Sequence, residues 1–395
     1  MTLAVTITLA LLALAGGWWL LRARGMDRWL LSYLAWTWSR QGPAPGDEVH
    51  VLICLADHYE PKFGEASPEQ ARERVRKWVE EYPRQLGRFR DSSGRTPRHT
   101  FFYPAEEYDA ELMTSLAELC AAGFGEVEVH LHHDRDTAES LGDKLAEFRD
   151  LLALRHGLLG RTPEGEPAWC FIHGNWALCN SRPDGRYCGV NEEIDVLRAA
   201  GCKVDMTLPS APSRAQTPLI NCIYWAVNRP GPASHAAGML AGTGKPPENA
   251  LMLITGPLLL DWGRRKYGLL PRVENGCVQA TQPPTMERLR LWLKAGVRVP
   301  ARPDWYFVKL HCHGAPEDAH EVLLGAPMTA FHEALAAEAA RNPRFHYHYV
   351  TAREMYNLAR AAESGYTGDV AGALDFEVQP GPALRGANTP AAREG

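Results

Sequence analysis

Eight short apolar runs recur after residue 48: VHVLICLADH (49–58), HTFFYP (99–104), EVEVHLHHD (126–134), WCFIHGN (169–175), CKVDMTL (202–208), LMLITGP (251–257), WYFVKLHCH (305–313) and FHYHYVT (345–351). Helical patterns separate most of them, among them SPEQARERVRKWVEEYPRQL, DAELMTSLAELCAAG and APMTAFHEALAAEAARN. Repeated strand–helix units specify an α/β fold with a mainly parallel sheet. Seven or eight units in about 300 residues suit a closed or nearly closed (β/α)7-8 barrel better than an open sheet.

Residues with chemical potential gather at the C-terminal ends of these runs: Asp57 and His58, Tyr103, His130 to Asp134, His173 with Asn175, Asp205, Asp261, and His311 with His313. In a (β/α) barrel that rim is where active sites are built. Strand alternation puts Glu128, His130 and His132 on one face, and Val127, Val129 and Leu131 on the other. It likewise groups Lys309, His311 and His313, so Glu128 and Lys309 are candidates to pair across the lumen. A lone strand-end histidine is usually a hydrogen-bonded structural residue. In HLHHD, two imidazoles at i, i+2 converge with Asp134 beside His133, a pattern that suits a divalent cation. Asp205 and Tyr103 read as structural, and His346 and His348 as packing residues.

The N-terminus obeys other rules. Thr2 to Leu21 carries no charge and is long enough to span a bilayer, with Trp18 and Trp19 near one end and Arg22, Arg24 and Arg28 beyond. The basic flank predicts a single-pass inner (cytoplasmic) membrane protein with its body in the cytoplasm; a signal peptide cleaved near Ala13-Leu14-Ala15 is the rival. Met26 to Trp38 suits a helix in the headgroup layer or on the domain, and Gln41 to Asp47 a linker. The expected organisation is an anchor at 1–24, interfacial helix and linker at 25–47, the barrel at 48–360 and a disordered tail at 361–395. Residues 209–250 read as a substrate-covering loop. A net charge of −5 argues against a nucleic-acid partner, and nine scattered cysteines without CxxC read as free thiols.

LICLADHYEP resembles the first motif of the polysaccharide deacetylase superfamily (NodB-like, carbohydrate esterase family 4), an apolar strand ending in two aspartates. His130 followed by Asp134 resembles its second motif, two histidines four residues apart, and WYFVKLHCHG its late motif, a strand ending in histidine. The likeness covers about residues 48–358. It departs where His58 replaces the second aspartate, where Asp134 replaces the second histidine, and at FIHGNW, which lacks the family's Arg-Pro-Pro-Tyr run. The resemblance implies Asp57 as catalytic base and His58, His130 and Asp134 as ligands of one divalent metal, zinc first and cobalt, nickel or manganese next. His132 is the alternative ligand, with Asp134 orienting it. His311 is then the acid for the leaving amine, tuned by His313, while His173, Asn175, Trp176, Trp225 and Trp262 contact substrate. The implied reaction removes an N-acetyl group from an amino sugar, free, lipid-linked or in a nascent polysaccharide. Arg264, Arg265 and Lys266 are candidates for a lipid diphosphate. An amidohydrolase-type barrel and a non-catalytic sugar-binding relative are the alternatives.

Overall fold

Side-chain caps start most of the longer helices. Ser67, Asp109, Thr137, Thr285 and Thr351 each accept a backbone N–H of the first turn, and Thr137 and Thr351 do so within reciprocal capping boxes. The computed structural model describes residues 2–39 and 42–385. In chain order it runs α1 (Thr2–Ala23), α2 (Leu30–Ser39), β1 (Val49–His58), α3 (Pro68–Leu86), β2 (His99–Pro104), α4 (Ala110–Leu119), β3 (Gly125–Leu131), α5 (Ala138–Asp150) and β4 (Gly160–Arg161). Next come β5 (Pro167–His173), α6 (Glu193–Ala199), β6 (Cys202–Asp205), β7 (Ile223–Val227), β8 (Met239–Leu240) and β9 (Ala250–Ile254). The hairpin β10 (Leu259–Lys266) and β11 (Leu270–Glu274) precedes α7 (Met286–Ala295), β12 (Trp305–Cys312), α8 (Glu317–Leu323), α9 (Ala326–Arg341), β13 (Phe345–Tyr349) and α10 (Ala352–Glu363).

All eight expected runs are strands. The large sheet has the order β12-β1-β2-β3-β5-β6-β9-β7-β8 and is parallel through β9. β1 changes neighbour midway: Val49–Ile53 pairs with β13, and Ala56–His58 with β2. Among the described residues no ladder joins the β9 end back to β12, so the sheet is an open path of mostly parallel strands. Its outer face buries Val51, Val127, Val129 and Leu310 with residues of α3, α4 and α5, as alternation requires. Its inner face buries Leu52, Cys54, Ala56, Phe102, Cys170 and Ile172 beneath Ala352, Met355, Leu358, Ala359 and Ala362 of α10. Small residues on both sides let that helix lie close to the strands.

Three expectations need correction. Residues 209–250 are more than a loop: β7, an apolar run around Tyr224 and Trp225, pairs antiparallel with β9 and carries β8. The tail is ordered as far as residue 385. Val370, Ala373, Val378 and Leu384 are buried, and Arg353 and Asn357 of α10 donate to the carbonyls of Leu374 and Val378. Residues 386–395 of that tail, like Gln41 of the linker, lie outside the described residues. Glu128 and Lys309 do not pair: Glu128 accepts the Cys170 N–H, and Lys309 donates to the carbonyls of Met206 and Leu208.

α1 is one helix long and apolar enough to cross a membrane, a property that a signal sequence shares. α2 is fastened to the body. Trp29, Tyr33 and Trp36 are buried in the inner core, while Leu31, Leu34 and Trp38 stay exposed. None of the nine cysteines forms a disulfide.

Candidate metal centre

Alternation continues two residues beyond β1. His58 and Glu60 therefore point the same way, into the space where β3 ends in His130 and the following His132. Glu60 Oε1 lies 3.2 Å from His130 Nε2 and 3.4 Å from His132 Nε2. The other nitrogen of each ring is already engaged. His130 Nδ1 lies 2.9 Å from the Ile172 carbonyl, which can only accept, so Nδ1 carries the proton. His132 Nδ1 lies 2.5 Å from Glu106 Oε1 and is protonated for the same reason. Two ring lone pairs thus face one carboxylate oxygen. That arrangement repels itself unless a proton or a cation sits among them.

The geometry suits a cation. Two ligands each about 2.0–2.1 Å from a tetrahedral zinc are about 3.3 Å apart, close to the separations found. Imidazoles held from behind by a carbonyl and a carboxylate are the usual outer arrangement of metal ligands. The His58 ring packs 4.7 Å from His130 and 4.8 Å from His313, with its Nδ1 buried and unpartnered. His58, Glu60 and His313 form a second overlapping set of donors, so five residues share this centre. Imidazole with carboxylate fits a zinc-class ion.

Charge follows from the same neighbours. Burial pushes the Glu60 carboxyl up, yet the His130 bond and the surrounding histidines outweigh it and leave its pKa lowered, so Glu60 is ionised near neutrality. Burial, reinforced by His130 and His313, keeps His58 neutral far below the usual histidine range. Burial opposes protonation of His132, but Glu106 and Glu60 prevail and raise its pKa. His311 is buried on the inner face of β12, and burial likewise holds it neutral. Trp176 bridges the two, stacked 4.8 Å from His58 and edge-on 5.3 Å from His311. Trp176 adopts φ 62, left-handed for a bulky residue, a form of strain that clusters at functional sites. Beneath the site, Gly174 leaves room for the His132 ring: a β-carbon there would lie 2.4 Å from His132 Cδ2.

The structure gathers His58, His130, His132, Trp176, His311 and His313 and leaves other candidates elsewhere. Asp57 alternates to the outer face, where its carboxylate meets His99 Nε2 at 2.8 Å and accepts the Gly314 N–H at 2.6 Å. It is buried on the face opposite His58 and the metal-facing histidines. Asp134 is partly exposed and accepts the Tyr187 N–H at 2.5 Å, so it neither faces the cluster nor orients His132. His173 belongs to a different buried group, and the Asn175 N–H bonds to its Nδ1. Trp225 bonds Glu363 and lines a cleft with Cys202 and Ala250, the starting residues of β6 and β9, hence at the opposite end of the strands. Trp262 is exposed on β10, and Arg264 is engaged by Asp261 and Glu274. Sequence reading missed Glu60 and Glu106. Extending the His58 alternation by two positions would have found Glu60; nothing local marks Glu106, which meets His132 only through the β2–β3 pairing.

No protein-family model matches this chain, and no curated protein is significantly similar to it.

Proposed function

We propose that this protein is a metal-dependent hydrolase that removes an N-acetyl group from an amino sugar. The observation that carries the reading is Glu60 Oε1 set between the Nε2 atoms of His130 and His132, with both Nδ1 atoms tied down. Glu60, His130 and His132 would hold the ion, with His58 and His313 beside it. Bound there, a zinc-class ion polarises an acyl carbonyl and makes water a better nucleophile near neutral pH.

The rest is work for the chain. Neutral His58 is the base that replaces Asp57 in this reading, since its lone pair lies beside the cluster. The proton taken by His58 returns to the departing amine by way of exposed His313. His311, held neutral by burial, lines the site beside Trp176. Trp176, half-buried at the mouth, offers an indole face for a sugar ring. The curl that brings Lys309 of β12 to the carbonyls after β6 suits a barrel-like sheet, as the deacetylase resemblance implies.

In this reading α1 is an uncleaved anchor, the arginines after it keep the body cytoplasmic, and the substrate is a lipid-linked N-acetylhexosamine. The decisive experiment measures acetate release from lipid-linked and free N-acetylhexosamines by metal-loaded protein. Release that disappears in Glu60→Gln and His130→Ala is expected. A metal-free chain without activity would instead mark a sugar-binding protein. A reporter fused after Gly395 that is active only outside the cytoplasm would overturn the topology.

A further inference from the structure

A second group of donors lies one residue along from the first. His133, His173, Cys188 and Glu193 offer ligand atoms that all fall within 4.8 Å of one another, and all four side chains are buried. They come from four places: the turn after β3, the end of β5, the segment that follows it and the start of α6.

The cluster is hydrogen-bonded only in part, and His173 Nε2 is left without a partner. Glu193 is fully buried, and among the described residues no lysine or arginine pairs with it. Its Oε1 lies 3.3 Å from His133 Nε2 and 3.9 Å from His173 Nε2. Its Oε2 lies 3.3 Å from Cys188 Sγ and accepts the Cys179 N–H at 2.5 Å. The Asn175 N–H holds His173 Nδ1 and turns Nε2 into the cluster, where that nitrogen is buried without a partner. Behind His133, Asp136 Oδ2 stands 3.3 Å from Nδ1, and Lys144 and Ser140 fix that carboxylate. Burying a carboxylate and two imidazoles without a cation is costly.

We propose that His133, His173, Cys188 and Glu193 form a second, structural site for a divalent cation of the zinc class. Four protein donors and no open position mark a structural centre, and thiolate with imidazole selects zinc over magnesium or calcium. Donors about 3.3–3.6 Å apart are what a tetrahedral ion with one sulfur requires. Uptake releases the Cys188 Sγ proton to solvent, and the His173 proton moves from Nε2 to Nδ1, which gives up the Asn175 N–H. The ion fastens the segment 174–192, which has no regular strand or α-helix and holds Trp176, Cys179, Asn180 and Tyr187 at positive φ. That segment also delivers Trp176 to His58, so this centre would shape the first site without touching its substrate. The proposal stands whether or not the first site is a deacetylase.

Metal counting and cobalt spectroscopy on the purified full-length chain test it. We expect two equivalents of metal per chain, one lost in His130→Ala and the other in Cys188→Ser. Cobalt-loaded protein should show a thiolate-to-cobalt charge-transfer band, retained in His130→Ala and absent in Cys188→Ser. Cys188→Ser changes a single atom, so it carries the test even if His133→Ala fails to fold. Chelation should also open residues 174–192 to protease. A chain without the thiolate band, or one whose band survives Cys188→Ser, would show a hydrogen-bonded cluster only and overturn the proposal. Loss of metal from the first site alone would leave the band in place, so the two readings fail separately.

Discussion

His132 and His133 are consecutive in the chain yet serve different carboxylates: His132 Nε2 lies 3.4 Å from Glu60, and His133 Nε2 lies 3.3 Å from Glu193. β3 ends at Leu131, yet alternation carries on past it: His132 keeps the side of His130, and His133 meets His173, the partner of Leu131. That alternation sends one ring toward His130 and the other toward the start of α6. HLHHD is therefore divided between two groups of donors.

Glu106 stands behind His132 and should tune the metal without binding it. Glu106→Gln is expected to lower metal affinity about 10–100-fold, the usual range for such partners. Competition against a chelator of known affinity measures this. An affinity equal to that of the wild type would remove Glu106 from the site.

Asp57 is expected to matter for folding rather than turnover. Asp57→Asn replaces an acceptor of the Gly314 N–H and the His99 ring by a group with one acceptor oxygen. The expected cost is about 1–3 kcal/mol in urea denaturation, with metal content unchanged. Normal stability together with a large fall in turnover would restore Asp57 as the base.

Glu128 gives stability a pH dependence. Burial pushes its carboxyl up to about 8 from an ordinary 4.5, so the folded chain holds its proton where the unfolded chain has lost it. Folding therefore binds a proton between these values, and stability falls as pH rises through that window. The contribution is complete below the unfolded value and gone above the folded one. Glu128→Gln should flatten the drop in urea midpoint between about pH 5 and about pH 9. An equally steep drop in the variant would assign it to other groups.

Arg353 holds the C-terminal segment. Its guanidinium meets buried Glu126 at 2.8 Å, Asp375 at 2.7 Å and the Val378 carbonyl at 2.7 Å. Arg353→Leu strands Glu126 in the inner core, which typically costs about 3–5 kcal/mol. The same variant should free residues 366–385 for limited proteolysis. Resistance equal to the wild type would show that the apolar contacts of Val378 and Leu384 suffice.

The strands and longest helices were legible because hydrophobic alternation and caps are local. Val127, Val129 and Leu131 went outward and His130 inward, as a period of two demands. Three features were not local. Asp57 lies apart from the histidine cluster because alternation places it opposite His58, which the family motif does not take into account. β7 was hidden because a strand antiparallel to β9 has no helix beside it to announce it. Residues 361–385 looked like a tail because their Ala, Gly and Pro content conceals that Arg353 and Asn357 supply the partners for their backbone carbonyls.

Gly314 and Asp57 stand 257 positions apart, yet they cannot drift independently. A β-carbon on residue 314 would lie 2.1 Å from Asp57 Oδ2 and 2.8 Å from Trp78 Cζ2, in a space where nothing can yield cheaply. A side chain at 314 therefore needs two concessions at once, a shorter residue 57 and a displaced Trp78, so positions from three parts of the chain share one small volume.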